Sequence, residues 1–177
     1  MCSPVMTANE IRKGALVDLR VDSLAFGGRG IARVEGMVIF VEGALPGDLV
    51  RARVGKRKAQ YAEARTVEVL EPSPDRRPAP CPVFGVCGGC RWQDFDYARQ
   101  LEAKRQHVAD ALTHIARQQQ VEVRPIIASP SQWRYRNKME YSFGPAADGG
   151  VDVGLHAAGR SEQIIDVPGC MIQPEAL

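Results

Sequence analysis

The chain has 177 residues, of which 45% are hydrophobic and 25% charged, and its formal net charge is +2. This composition is typical of a soluble globular protein and excludes a disordered or strongly basic one. No stretch approaches the ~20 consecutive apolar residues of a membrane span. Because the N-terminus also has no signal-peptide pattern, we expect a cytoplasmic protein.

Short apolar segments separated by turn residues fill the first part of the chain. Residues 1–10 are expected to form a flexible tail, and residues 11–71 alternate between apolar and polar positions, with Gly-rich turns such as the one at 27–30. This pattern predicts a five-stranded β-barrel of the oligonucleotide-binding kind. The predicted strands are 15–21, 30–34, 37–41, 48–54 and 61–70.

Cations on the predicted barrel suggest an RNA-binding surface, because barrels of this kind present Lys and Arg on loops and on one face. Residues 55–58 are expected to form a strand-to-strand loop. The alternative is ordinary solvated charge, since residues 1–80 contain thirteen Lys or Arg against ten acids. The predicted RNA-contacting residues of this part are Arg29, Arg33, Lys56, Arg57 and Lys58.

A change in composition marks a domain boundary. Residues 71–80 contain four prolines, which block helix interiors and central strands. Residues 72–92 are therefore interpreted as a Pro-rich linker and a cysteine loop. Residues 93–177 are interpreted as a central RNA-binding α+β domain, whose completeness the sequence leaves open. The predicted elements there are a helix from 95 to about 119 with Asp94 as its N-cap, and antiparallel strands at 133–143, 151–156 and 163–167.

The strand predicted at 133–143 carries cations between aromatic residues. A period of two would place Arg134, Arg136 and Lys138 on one face, where they could bind a phosphate backbone. The alternative is a solvated strand face above an aromatic core. His156, near the end of the next predicted strand, is a further predicted nucleic-acid contact.

Three cysteines within ten residues indicate a metal site. Cys81, Cys87 and Cys90 have the spacing C-x5-C-x2-C, and a tetrahedral sulfur site needs a fourth ligand, for which Cys2 and Cys170 remain. Cys170 is the better choice because it follows a predicted strand in a short turn. Cytosolic cysteines that cluster are metal ligands more often than disulfides. On spacing alone, zinc and an iron–sulfur cluster are equally compatible, and buried structural thiols are the remaining alternative.

Several segments together resemble a known family. They are Gly-Gly-Arg-Gly-Ile-Ala at 27–32, Val-Glu-Gly-Ala-Leu-Pro-Gly-Asp at 41–48, the cysteine loop at 81–90 with Cys-Gly-Gly-Cys, Tyr-Arg-Asn-Lys-Met-Glu-Tyr-Ser-Phe at 135–143, and Ile-Asp-Val-Pro-Gly-Cys at 165–170. In this order they resemble the N-terminal portion of the TRAM-domain-bearing iron–sulfur 23S rRNA/tRNA (uracil-5-)-methyltransferases. The resemblance implies that Cys81, Cys87, Cys90 and Cys170 bind a [4Fe–4S] cluster.

The resemblance also implies partners and a division of labour. The expected partner is structured RNA, with rRNA preferred to tRNA, and neither DNA nor a membrane. In full-length members, S-adenosylmethionine and the catalytic groups belong to a C-terminal methyltransferase domain. This sequence contains no catalytic or cofactor-binding residues that match, so the chain is expected to be inactive alone. The methyltransferase domain is then expected to be separate or missing.

Two other functions use similar parts. One is a non-enzymatic RNA-binding module with a structural Cys₄ zinc site. The other is a fragment of a radical S-adenosylmethionine methylthiotransferase, since those enzymes also combine a TRAM domain with clusters. Against the latter, that family uses C-x3-C-x2-C, whereas five residues separate Cys81 from Cys87 here.

Overall fold

The structure, a computed structural model, describes residues 7–146, 149–167 and 169–175. It divides into two compact units that do not follow chain order. The first unit comprises the described residues up to Arg76 together with Phe95–Pro125. The second comprises Arg77–Asp94 together with the described residues from Ile126 onward.

One six-stranded sheet forms most of the first unit. Its strands are β1 (Leu16–Arg20), β2 (Ser23–Leu24), β3 (Gly30–Val34), β4 (Met37–Glu42), β5 (Leu49–Arg57) and β6 (Tyr61–Glu71). Their order is β1-β5-β6-β4-β3-β2, and only the β4–β6 pair is parallel. All five predicted strands of this part are confirmed. The predicted five-stranded barrel is not, because there are six strands and no pairing joins β1 to β2 within the described residues.

The core of this sheet follows from the alternation in the sequence. Val50, Ala52 and Val54 on β5 are buried, and so are Ile39 and Val41 on β4. Successive side chains of a strand point to opposite faces, so each strand contributes every second residue to the same core. Burial of a Val, Leu or Ile side chain contributes roughly 1.5–3 kcal/mol, and this core is therefore the main source of stability of the unit.

The segment before β1 is ordered where the structure describes it. Ala8–Glu10 form a short 3₁₀ helix, and the Thr7 amide donates a hydrogen bond of 2.6 Å to the Glu10 carboxylate. Ile11, the next residue, is fully buried. The prediction of a flexible tail is therefore wrong for residues 7–10, while residues 1–6 lie outside the described part of the chain.

The described part of the first unit contains one α-helix, α1 (Tyr97–Asp110), which continues as one π-helical turn at Ala111–Ile115. Its N-cap is Asp96, whose carboxylate accepts hydrogen bonds from the amides of Ala98 and Arg99 at 3.1 and 3.4 Å. The predicted N-cap at Asp94 is wrong by two residues. The sequence also predicts this helix as part of a domain at 93–177, whose boundaries remain a prediction.

A three-stranded antiparallel sheet forms the centre of the second unit. Its strands are β7 (Ser142–Pro145), β8 (Val151–Ala157) and β9 (Arg160–Asp166), in that order. The predicted strands at 151–156 and 163–167 are confirmed. The strand predicted at 133–143 is wrong, because residues 121–141 contain no helix or strand and β7 begins only at Ser142.

In the turn between β7 and β8, the Ala146 amide donates to the Gly150 carbonyl at 3.0 Å and the Gly149 amide donates to the Ala146 carbonyl at 3.1 Å. Two of its residues, Ala147 and Asp148, lie outside the described residues. No helix in the described part of the chain is both long enough and apolar enough to cross a membrane.

Candidate metal centre and RNA-binding surfaces

The cysteine loop is attached to the end of β8 by its main chain. The Gly88 amide donates to the His156 carbonyl at 2.9 Å, and the Ala158 amide donates to the Val86 carbonyl at 2.8 Å. Cys87 and Ala157 form an antiparallel bridge between these two bonds. The loop that contains Cys81, Cys87 and Cys90 is therefore held by the second sheet.

The structure explains why glycine occupies positions 88 and 89 of this loop. A Cβ atom at Gly88 would lie 3.1 Å from the His156 carbonyl oxygen, so a larger residue would press on the chain that holds the loop. The Gly89 amide donates to the Cys87 Sγ atom at 3.4 Å. Hydrogen bonds from amides to cysteine sulfur help to set the properties of iron–sulfur clusters.

Cys170 lies in a separate turn that Arg134 holds. The Arg134 Nη1 atom donates to the carbonyls of Cys170 and Gln173, both at 3.0 Å. The amides of Arg134 and Arg136 donate to the carbonyls of Met171 and Ile172 at 3.1 and 2.8 Å. Cys170 itself is only 7% exposed, so its thiol faces the interior of the second unit.

Electrostatic interactions connect the four cysteines. Burial raises the pKa of the Cys90 thiol, a hydrogen bond from Gln93 opposes this, and Coulombic interactions with Cys170, Cys87 and Cys81 raise the pKa further. All four are free thiols. Cysteine sulfur is the donor that soft cations and iron–sulfur clusters take as a ligand.

In the described parts of the chain, no group of three or more His, Cys, Asp or Glu side chains is arranged so that it could hold a metal ion. The ligand set Cys81, Cys87, Cys90 and Cys170 fits the donor chemistry of such a centre and stays a prediction.

Three of the cations predicted in the first unit pair with carboxylates, and the Arg29 guanidinium lies 3.9 Å from Glu63. Arg33 lies 3.6 Å from Asp22, and the Nζ atom of Lys56 lies 3.7 Å from Glu63. All three pairs are partly exposed, and exposed pairs of this kind contribute at most about 1 kcal/mol. They can therefore open at little cost when a phosphate competes for the cation.

The predicted loop at 55–58 is part of β5 as far as Arg57, so the loop prediction is wrong for residues 55–57. Arg57 is exposed and its guanidinium donates to the Lys58 carbonyl at 2.7 Å. Lys58 is also exposed, and neither residue forms an ion pair within the described residues.

An aromatic cluster that the sequence pattern does not predict lies beside Arg29. The Arg29 guanidinium lies 4.9 Å above the centre of the Phe40 ring and 3.9 Å from Glu63. The Phe40 and Tyr61 rings meet edge to face, with centroids 5.9 Å apart. The sequence holds no local signal for this cluster, because the pairing of β4 with the distant strand β6 brings the two rings together.

A second missed residue is Phe26, whose ring is 89% exposed on the turn between β2 and β3. Its ring meets His107 edge to face at 6.1 Å. The local signal was a phenylalanine directly before Gly27 and Gly28, a position where a turn presents a side chain to solvent.

Arg134, Arg136 and Lys138 do not share a strand face, because residues 121–141 form no strand, whereas His156 lies on β8. Arg134 has a φ of 59° and is engaged with the Cys170 turn and with Glu175 at 3.1 Å. The Arg136 guanidinium contacts the Met139 sulfur at 3.6 Å, and exposed Lys138 pairs with Glu140 at 2.7 Å. The His156 ring lies 3.1 Å from the Ser142 hydroxyl.

Comparisons with known proteins agree with this architecture. Residues 12–67 match the TRAM domain family, so the first unit contains a TRAM domain. Over 165 residues the chain is 41% identical to an uncharacterized RNA methyltransferase of Halalkalibacterium halodurans, covering 93% of this chain and 36% of the relative. It is 38% identical over 182 residues to one of Chlorobaculum tepidum, covering 94% of this chain and 38% of that relative. The chain thus spans little more than a third of the length of these relatives.

Among solved structures, the chain is similar to the tRNA (uracil-54, C5)-methyltransferase of Pyrococcus abyssi in complex with S-adenosyl-L-homocysteine. The TM-score is 0.54 at 24% identity, and the match covers 90% of this chain and 33% of that enzyme. At this identity the likeness concerns the fold. The chain therefore contains a TRAM domain at residues 12–67 and is similar to uncharacterized RNA methyltransferases over most of its own length.

Proposed function

We propose that this chain supplies the RNA-binding and [4Fe–4S]-binding portion of an S-adenosylmethionine-dependent RNA uracil-C5 methyltransferase that modifies rRNA or tRNA. The observation that carries the proposal is the 41% identity to an RNA methyltransferase over 93% of the chain. The TRAM domain at residues 12–67 supports the RNA-binding role.

The choice of reaction rests on the similar fold. The related structure is that of a tRNA (uracil-54, C5)-methyltransferase with S-adenosyl-L-homocysteine bound, the product that remains when S-adenosylmethionine has given up its methyl group. This supports S-adenosylmethionine as the methyl donor and the C5 atom of a uracil as the acceptor. The role of this chain is to hold the RNA.

Cys81, Cys87, Cys90 and Cys170 are the proposed cluster ligands. Their electrostatic coupling at Cys90 and the amide–sulfur hydrogen bond in the loop support this assignment. A bound cluster would link the cysteine loop covalently to the Cys170 turn within the second unit. Its chemistry there is structural, since such a link restricts two segments that are separated in sequence.

RNA binding is assigned to both units. In the first, Arg57 and Lys58 are exposed and have no carboxylate partner among the described residues, while Arg29, Arg33 and Lys56 form weak ion pairs. Both observations support contacts with phosphates. In the second, Arg136, Lys138 and His156 remain proposed contacts, because all three are exposed. Arg134 is proposed as a contact only for the part of its guanidinium that is not engaged with the Cys170 turn.

Metal analysis tests the cluster. The chain is purified without oxygen, and its absorbance spectrum, iron and zinc are measured. We expect a brown protein that absorbs near ~400 nm and contains about four irons per chain. A colourless chain with one zinc would replace the cluster by the structural zinc site. The Cys2→Ser variant is the matched control and should keep its metal.

Titration with RNA tests the second part of the proposal. An rRNA fragment and a tRNA are each titrated at several salt concentrations. We expect affinity to fall linearly with the logarithm of salt concentration, because cations that bind phosphates release counterions. No binding to either RNA at low salt would refute the RNA-binding role.

A further inference from the structure

The turn between β2 and β3 has a fixed shape. The Ala25 amide donates to the Arg29 carbonyl at 2.8 Å, and the Gly28 amide donates to the Ala25 carbonyl at 2.9 Å. Gly27 and Gly28 have φ angles of 87° and 89°, a left-handed conformation that side chains other than glycine rarely adopt. These constraints place Phe26 at the tip of a short, closed turn.

The Phe26 side chain is exposed, and one edge of its ring is in contact with another side chain. It is 89% accessible to solvent, whereas Leu24, two residues before it, is 9% exposed. Its edge-to-face contact with His107 has an interplanar angle of 69°, and the His107 Nε2 atom lies 3.0 Å from the Leu24 carbonyl oxygen. The ring is therefore supported on one side by α1 and open to solvent elsewhere.

The surroundings of the turn are cationic and aromatic. Arg29, at the end of the same turn, lies over Phe40, which in turn meets Tyr61. Across the sheet, Lys56 on β5 stands opposite Glu63 on β6, and Glu63 stands opposite Phe40 on β4. A surface meant for an apolar protein partner would surround the exposed ring with further aliphatic side chains. Here the residues that follow it in the turn are Gly27, Gly28 and Arg29.

We infer that Phe26 is a base-stacking residue, which binds the face of an unpaired nucleobase while Arg29 binds an adjacent phosphate. Single-stranded nucleic acids are held by this combination of aromatic faces and cations, and stacking accepts any base because every base has a π face. The inference rests on the proposed RNA-binding function and deepens it. It predicts that the TRAM domain contacts the bases of single-stranded RNA in addition to the phosphate backbone.

The test compares two synthetic RNAs with two variants of Phe26. One RNA is a single strand of about twelve nucleotides, within the ~4–16 nucleotides that one oligonucleotide-binding fold contacts. The other has the same backbone with abasic residues at its centre. Phe26→Ala should lower affinity for the first RNA by about 5- to 150-fold. Phe26→Trp should retain it, since indole also stacks. On the abasic RNA, Phe26→Ala and the unsubstituted chain should bind equally.

Three controls make the result specific. Phe143→Ala removes another exposed phenylalanine, which is 76% accessible on β7 of the second unit, and should bind RNA like the unsubstituted chain. Phe26→Ala should keep the salt dependence of binding, because no charge is lost. It should also keep the urea midpoint of unfolding, because the removed side chain is largely solvated.

The outcomes separate the two claims. Binding by Phe26→Ala within twofold of the unsubstituted chain, or an equal loss on base-bearing and abasic RNA, overturns the stacking role and leaves RNA binding intact. An equal loss in Phe143→Ala also overturns it. If the unsubstituted chain binds neither RNA, the proposed function fails and the inference fails with it.

Discussion

The carboxylate of Asp48 and the guanidinium of Arg76 form a bidentate ion pair in the first unit, with N–O distances of 3.0 and 2.8 Å. Asp48 is fully buried, and the side chain of Arg76 is 19% exposed. The same carboxylate accepts hydrogen bonds from the amides of Leu45 and Ser73 at 2.7 and 2.8 Å. It therefore joins the segment before β5 to the segment after β6.

Removal of this carboxylate should destabilise the first unit strongly. Asp48→Ala leaves a mostly buried guanidinium and two amides without their acceptor, which we expect to lower the free energy of unfolding by about 3–5 kcal/mol. Urea unfolding monitored by circular dichroism measures the loss. The control is Asp18→Ala, which removes a 43% exposed partner of Arg51 and should cost less than about 1 kcal/mol. Equal losses in the two variants would contradict a special role for Asp48.

Arg134 should control access to Cys170. Its guanidinium bonds to the Cys170 and Gln173 carbonyls, and charged hydrogen bonds of this kind contribute roughly 1.5–3 kcal/mol each. Arg134→Ala should therefore raise the rate at which iodoacetamide labels Cys170 in the metal-free chain by about tenfold or more, through easier local opening. Peptide mass spectrometry gives the rate at each cysteine.

Arg160→Ala is the control for this experiment, because Arg160 is exposed on β9 and bonds only to Gln163 within the described residues. Its Cys170 labelling rate should match that of the unsubstituted chain. If Cys87 and Cys170 accelerated together in Arg134→Ala, the whole unit would have loosened, and the specific role of Arg134 would be refuted.

Single cysteine substitutions should identify the fourth ligand. Serine at position 81, 87, 90 or 170 removes one proposed ligand, and each variant should lose most of its metal after anaerobic purification. Cys2→Ser should keep the full content. Iron and zinc are measured per chain in all five variants. Retention of metal by Cys170→Ser together with loss by Cys2→Ser would reassign the fourth ligand to Cys2.

The exposed cations at the end of β5 should contribute to RNA affinity through phosphates. Arg57→Ala and Lys58→Ala should each weaken binding and reduce the slope of log K against log salt by about 0.7–0.9, the value for one phosphate contact. Fluorescence anisotropy at four salt concentrations gives the slopes. Arg51→Ala is the matched control, because its guanidinium already bonds to Asp18 at 2.8 and 2.9 Å, and its slope should not change.

The five longer strands of the first unit could be predicted because each one has a local alternation of apolar and polar residues. On β4 and β5 buried and exposed side chains alternate residue by residue, and apolar types occupy the buried positions. The two-residue strand β2 was missed because such a short segment has no measurable period. The open order of six strands depends on pairing between distant segments. The residues of β4 and β6 contain no local pattern that would predict their parallel pairing.

The segment before β7 shows where local patterns fail. Alternating cations and aromatics from 133 to 143 resemble a strand, but Arg134 adopts a left-handed conformation and its amide bonds to Met171. Contact with a segment almost forty positions further along the chain decides this conformation. Because of the same contact, the role of Arg134 is to position the proposed ligand Cys170, whereas the sequence pattern indicated a cation on the surface.

The helix start was misplaced for a comparable reason. Asp94 and Asp96 both precede the helical pattern, and either could cap it. Phe95 between them is 5% exposed and forms a bridge with Arg76, and the Asp96 amide bonds to the Asp75 carbonyl. These bonds fix the chain direction so that the helix begins after Asp96. The local sequence does not show whether Asp94 or Asp96 is the N-cap.

The bridge between Cys87 and Ala157 has a consequence for how the proposed metal centre would mature. Main-chain hydrogen bonds hold the cysteine loop to β8, so folding of the polypeptide orders the main chain of the loop, and the entropy of that ordering need not come from metal binding. Small zinc modules differ, since they are unfolded without their ion. The proposed cluster would instead be assembled on a chain that has already folded.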